Sequence, residues 1–181
     1  MNVDNLLKRL KKGEQRAYKE LVFHFTGRLM TIARIYSNSE EDAKDVLQEA
    51  FILVFRKIDQ FNGQEEKQLY GWMKRIIINL CLSRNQKKFR KMETSLDTMD
   101  FDKGVDAEAI TNISHQEIMN LVFKLPEGYR QVFALFAIEG YSHREIAERL
   151  TIGESSSRSQ YSRAKKLLQS EFKNLYNVLI A

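Results

Sequence analysis

The chain has 181 residues, 43% of them hydrophobic and 29% charged, with a net charge of +5, an ordinary balance for one large or two small globular domains. With one proline, eight glycines and almost no strand-like alternation, the expected class is all-α. No apolar run approaches the roughly 18 residues of a bilayer span and MNVDNLLKRLKK lacks a hydrophobic signal region, so a cytoplasmic location without membrane insertion is expected.

The single cysteine, Cys81, lies among Ile76, Ile77, Ile78, Leu80 and Leu82, which excludes a disulfide framework and a cysteine zinc site and reads as a buried thiol. Charge is unevenly spread. Residues 1–91 hold 19 Lys and Arg against 11 Asp and Glu (+8), residues 92–112 hold 1 against 6 (−5), and residues 113–181 hold 9 against 7 (+2). Two basic helical blocks joined by an acidic tether follow, and basic blocks point to nucleic acid.

In chain order, Leu6, Leu7 and Leu10, then Ala17, Tyr18, Leu21, Val22 and Phe25, then Leu29, Ile32, Ala33 and Tyr36 mark amphipathic helices, with breaks expected at Gly13 and Gly27. His24 has no partner at metal-ligand spacing and is read as a core or boundary histidine. The next helix starts at Ser39, with Asp42 completing a start like a capping box, and buries Val46, Leu47, Ala50, Phe51, Val54, Phe55 and Ile58. Asp42, Asp45 and Glu49, with Gln48 beside them, line one exposed face, where like charges repel weakly and a basic partner surface would relieve the cost.

A polar loop, residues 59–66, carries the aromatic Phe61. A further helix follows, burying Leu69, Trp72, Ile76 and Leu80 and carrying Lys74, Arg75, Arg84, Lys87, Lys88, Arg90 and Lys91. Cations beside Phe61, Tyr70 and Trp72 are the composition of a surface that follows a phosphate backbone and stacks unpaired bases. Residues 93–112 have six acids and no periodicity and read as a flexible linker.

The last block predicts four helices: Ile113 to Lys124, a restart at Pro126 running through Tyr129 to Ile138 and ending at Gly140, and a final pair within Tyr141 to Gln169. In that pair Ser142 and Glu145 form a capping box, Ile146, Ala147 and Leu150 face inward, and His143, Arg144, Glu148 and Arg149 face out. After the turn Thr151-Ile152-Gly153, the second helix presents Ser156, Arg158, Ser159, Ser162, Arg163, Lys165 and Lys166, a hydroxyl-rich cationic face suited to base edges and phosphates in a major groove. The stretch resembles a helix-turn-helix. It departs from the usual motif at Thr151, where the turn normally has glycine, and at Ser157, where a buried Val or Ile is usual.

Taken together, EEDAKDVLQEAFILVFRKIDQF is similar to the region-two helix, LYGWMKRIIINLCLSRNQKK to the promoter-melting helix, and LPEGYRQVFALFAIEGYSHREIAERLTIGESSSRSQYSRAKKLL to region four of the extracytoplasmic-function bacterial RNA polymerase sigma factors. The resemblance implies two small helical domains, region two over 1–91 and region four over 113–181, with a linker over 92–112. It implies a non-enzymatic factor that directs core polymerase to promoters and helps open the −10 element. Asp42, Asp45, Gln48 and Glu49 would then contact the clamp helices of the largest subunit, with the beta flap a further polymerase contact. Phe61 and Asn62 would capture a flipped −10 base, and Trp72, Lys74, Arg75, Asn79, Arg84 and Lys87 would hold the opened strand. Arg144, Ser156, Arg158, Ser159, Ser162, Arg163 and Lys165 would serve the −35 element. An anti-sigma factor is an implied partner. A stand-alone helix-turn-helix repressor or activator is the alternative, but it leaves the acidic stripe and the loop-aromatic-basic block without a role. No phosphate loop, paired catalytic carboxylates or metal cluster is visible, so no cofactor, metal or catalytic residue is expected.

Overall fold

The computed structural model describes residues 3–89 and 115–179, with side chains over 3–85 and 117–173, and its elements are α-helices with short 3-10 and π segments. The chain divides into two compact units, residues 1–85 and 86–181. The predicted linker lies outside the described residues, as does the start of the helix expected at Ile113.

The N-terminal unit holds α1 (Val3–Lys11), α2 (Gln15–Tyr36), α3 (Glu40–Lys57), a 3-10 turn (Ile58–Gln60) and α4 (Glu66–Phe89). Gly13 ends the link after α1 with φ +74°, a left-handed conformation that glycine adopts without steric cost. Gly27 does not break the chain as expected. Burial of Leu21, Phe25, Leu29 and Ile32 along one continuous face outweighs its weak helix propensity. Arg9 fastens α1 to α2 through Glu14 (2.9 Å) and Glu20 (2.8 Å). Ser39 caps α3 by accepting from the Asp42 amide at 3.0 Å, while Asp42 Oδ2 accepts from the Asn38 amide at 3.4 Å. The result is close to a capping box, displaced by one residue.

The inward face of α4 differs from the expected one. Leu69, Met73, Ile77, Ile78, Cys81 and Leu82 are buried, whereas Trp72, Ile76 and Leu80 are half-buried. Two contacts fix the register of its C-terminal half: Asn85, only 4% exposed, donates to the Tyr36 carbonyl at 3.2 Å, and the Cys81 thiol lies 3.7 Å from the Ser37 hydroxyl. Burial pushes the Cys81 thiol up to about 12.

The C-terminal unit holds α5 (His115–Lys124), α6 (Glu127–Phe133), α7 (His143–Leu150) and α8 (Glu154–Leu179). A π segment over Ala134–Ile138 follows α6 in place of the regular helix expected there, with the Glu139 amide bonded to the Ala134 carbonyl at 3.0 Å. Leu121, Val122, Leu125, Ala164 and Leu168 form the core, with Tyr129, Phe133 and Phe172 packed against it. Arg130 is half-buried and donates to the Phe123 and Leu125 carbonyls at 3.3 and 3.1 Å, placing a cation at the negative end of α5. Gly140, with φ +77°, ends the π segment ahead of α7.

Candidate nucleic-acid interface

The α7–turn–α8 segment is fixed at both ends of its first helix. The Ser142 hydroxyl accepts from the Glu145 amide at 3.3 Å, and Glu145 accepts from the Ser142 amide at 2.8 Å, which completes the expected capping box. The Ser142 amide, together with its hydroxyl, which donates to Glu145 Oε2 at 2.7 Å, holds the Glu145 carboxyl below its ordinary value. At the other end Thr151 adopts the left-handed conformation (φ 57°, ψ 44°), the only non-glycine residue with positive φ among those described. Its amide still bonds to Ala147, and the Ile152 amide reaches the same carbonyl at 3.1 Å, so the sharp turn retains its hydrogen bonds.

Ser157, the second departure from the usual motif, is fully buried, and its hydroxyl lies 2.9 Å from His143 Nδ1. His143 is therefore not an outward residue, as expected from its spacing. Its ring stacks on Phe136 (4.4 Å, 15°) and meets Tyr161 edge-on at 5.8 Å. Burial, followed by the Arg158 charge, lowers its pKa below the usual 6.5, so the neutral ring is the stable form. A polar residue at a position patterned for burial was the available signal, since a buried hydroxyl requires a partner.

The outer face of α8 carries Ser155, Arg158, Ser159, Ser162 and Lys165, all exposed and repeating at helical spacing. Arg158 pairs with Glu154 one turn back, and the Lys165 ammonium lies 5.3 Å from the Tyr161 ring. Arg163 and Ser156 sit at the margin of this face. Arg163 reaches Tyr129 Oη at 3.4 Å, which directs it toward α6. Arg144 is exposed and loosely paired with Glu148 at 3.5 Å.

In the N-terminal unit, Arg75 and Asn79 are exposed one turn apart on α4, with Lys74 half-buried beside them. Phe61, expected to capture a base, is 7% exposed here, and its ring lies 5.2 Å from that of Trp72. A polar loop must anchor itself, and this one does so by inserting its aromatic residue, leaving Asn62 exposed. On α3, Asp45 and Gln48 are exposed, while Asp42 and Glu49 are half-buried and bound by Arg84 of α4 at 3.3 and 2.6 Å. Partial burial opposes the Arg84 charge, and Glu49 and Asp42 more than offset it, raising its pKa above the ordinary arginine value. The Lys87 side chain lies outside the described residues.

The family models for "Sigma-70 region 2" and "Sigma-70, region 4" match residues 21–91 and 115–168. The ECF RNA polymerase sigma-E factor of Escherichia coli K12 is 28% identical over 182 residues, covering 94% of this chain and 94% of the relative. The chain belongs to the extracytoplasmic-function sigma-70 factors. The sigma-E factors of Salmonella typhimurium LT2 and Haemophilus influenzae are 28% and 25% identical to this sigma factor over 94% of its length. Two solved structures also match: CnrH in complex with the cytosolic domain of CnrY (22% identity, 96% of this chain and 99% of that one, TM-score 0.48), and the sigma factor RpoE in complex with the anti-sigma factor NepR from Bartonella quintana (20%, 86% and 96%, 0.48). The protein is a transcription initiation factor rather than an enzyme. Its helix-turn-helix is the α7–α8 pair of region four, and among the described residues no helix is long and apolar enough to cross a membrane.

Proposed function

We propose that this sigma factor divides its work among three surfaces. The exposed Asp45 and Gln48 of α3, with Asp42 and Glu49 beside them, dock on the clamp helices of the polymerase largest subunit. Arg75, Asn79 and Asn62, flanked by Trp72 and Lys74, hold the opened strand of the −10 element, with Phe61 as the buried wall behind them. Region four meets the beta flap and reads the −35 element through Arg158, Ser159 and Ser162, with Arg144 and Lys165 on phosphates and Arg163 and Ser156 at the edge. The observation that carries this reading is the outer face of α8, where exposed hydroxyls and cations repeat on one side of a helix held by a capped turn. Short hydroxyl side chains allow close approach to base edges, and arginine supplies a bidentate donor for guanine. The protein acts in the cytoplasm, where polymerase is found, and an anti-sigma factor is the expected regulator.

Runoff transcription with purified core polymerase, with and without the protein, on a promoter library with sequenced products tests the reading. Starts at a fixed distance from a shared two-part motif are expected. Absence of both a core complex and new starts would refute it and favour a stand-alone helix-turn-helix binder.

A further inference from the structure

Arg84 joins two surfaces to which the function assigns separate partners. It projects from α4, the helix of the strand-holding face, yet its guanidinium lies 2.6 Å from Glu49 and 3.3 Å from Asp42 on α3. The Arg84 side chain is 32% exposed, and those of Asp42 and Glu49 are 17% and 45% exposed, so the cluster sits at the surface where a partner can reach it. Its aim is set by its neighbours. Asn85 and Cys81, both buried, fix this turn of α4 against Tyr36 and Ser37.

Two carboxylates at the edge of a proposed docking face are thus already occupied by an internal cation. A basic partner surface drawn to these acids meets a cation already bound to Glu49 Oε2 and Asp42 Oδ1, and the like charges repel unless Arg84 moves aside. We infer that Arg84 is a positioning residue that occupies the polymerase-binding carboxylates of the free sigma factor and is displaced when core docks, which frees its charge for the opened promoter strand. Binding of core and readiness for DNA are then linked through one side chain, and each must favour the other by the same factor. The inference rests on the clamp reading of Asp42, Asp45 and Glu49.

The test measures core affinity of the full chain by titration of a fluorescent label, at low and high salt, for wild type, Arg84→Met, Glu49→Gln, Arg84→Met/Glu49→Gln and Asp45→Lys. Methionine keeps the apolar stem, and Arg84→Gln provides a second neutral variant; thermal unfolding checks that each folds. Removing a half-exposed pair that competes with core should tighten core binding by about twofold to fivefold at low salt. The gain should shrink in the Glu49→Gln background, where only Asp42 is left to be freed, and be lost in about 1 M salt. The Arg84→Met holoenzyme should also open promoters more slowly, an effect opposite in sign that a purely structural ion pair would not produce. If Arg84→Met and Arg84→Gln fold but bind core no tighter while Asp45→Lys still abolishes binding, the displacement idea is overturned and the clamp reading stands. If Asp45→Lys binds core normally, the clamp reading falls, and the inference with it.

Discussion

Replacing Thr151 by glycine should make the helix-turn-helix more stable without altering any contact seen in the structure. Thr151 holds φ 57°, ψ 44°, where the Cβ of an L-residue crowds the following carbonyl at a cost of about 1–2 kcal/mol. Glycine removes that cost but loses about 0.4–1 kcal/mol through the larger conformational freedom of its unfolded chain. The side chain is exposed, so little packing is sacrificed, and the amide keeps its bond to the Ala147 carbonyl. The net gain is about 0.5–1 kcal/mol. Hydrogen exchange on the full chain reads this locally through the Ile152 amide, whose acceptor is also Ala147. Its exchange should slow by about twofold to fivefold. Thr151→Val, which keeps the branched Cβ, should give no gain. Unchanged or faster exchange in Thr151→Gly would refute the argument from left-handed strain. Gly140→Ala gives the reciprocal control: at φ +77°, with no atom within 4 Å of the added Cβ, its cost is backbone alone, about 1 kcal/mol.

Gly63→Ala should destabilise the N-terminal unit by about 1–3 kcal/mol, because its Cβ would lie 2.4 Å from Phe61 Cζ, on a buried ring that cannot simply rotate away. Denaturation followed by Trp72, the single tryptophan and a neighbour of Phe61, checks this, and an unchanged midpoint would refute it. Arg158→Ala should weaken −35 binding by about 1–3 kcal/mol and relax discrimination at one base. Equal loss on all sequences, measured by competition binding, would make it a phosphate contact instead. The C-terminal unit should lose stability on mild acidification. His143 has a folded pKa below its ordinary 6.5, so the unfolded chain binds more protons between those two values. The contribution is complete above 6.5 and is lost as pH falls from there through the folded pKa. His143→Gln should flatten the slope of exchange-derived stability below pH 6.5, and an undiminished slope would assign it to other groups.

Local signals written in consecutive residues were legible in the sequence. The Ser142–Glu145 capping box, the Ser39 cap, Gly140 as a terminator and the apolar stripes of α2 and α3 follow from the spacing of a few side chains. Errors arose where tertiary packing decides. Gly27 resembles a break, but the buried face on either side of it carries the helix through. In α4, apolar residues occur on both sides, so periodicity alone ran the buried row from Leu69 through Trp72, Ile76 and Leu80, whereas the structure runs it from Leu69 through Met73 and Ile77. The site was least legible in its pairings. Arg84 meets Glu49 across 35 residues and Asp42 across 42, and His143 meets Ser157 across 14. Neither composition nor helical spacing carries such partnerships, so a cation assigned to DNA turned out to bind acids assigned to polymerase.

Cys81 has a practical consequence. It is the chain's only thiol, it belongs to the N-terminal unit, and its buried sulfur is held almost wholly protonated at neutral pH, so a soluble alkylating reagent can react only after that unit opens. The native protein thus contains a timer for one of its halves. The rate of thiol modification, with and without a bound partner, tells whether the partner braces region two or leaves its opening untouched.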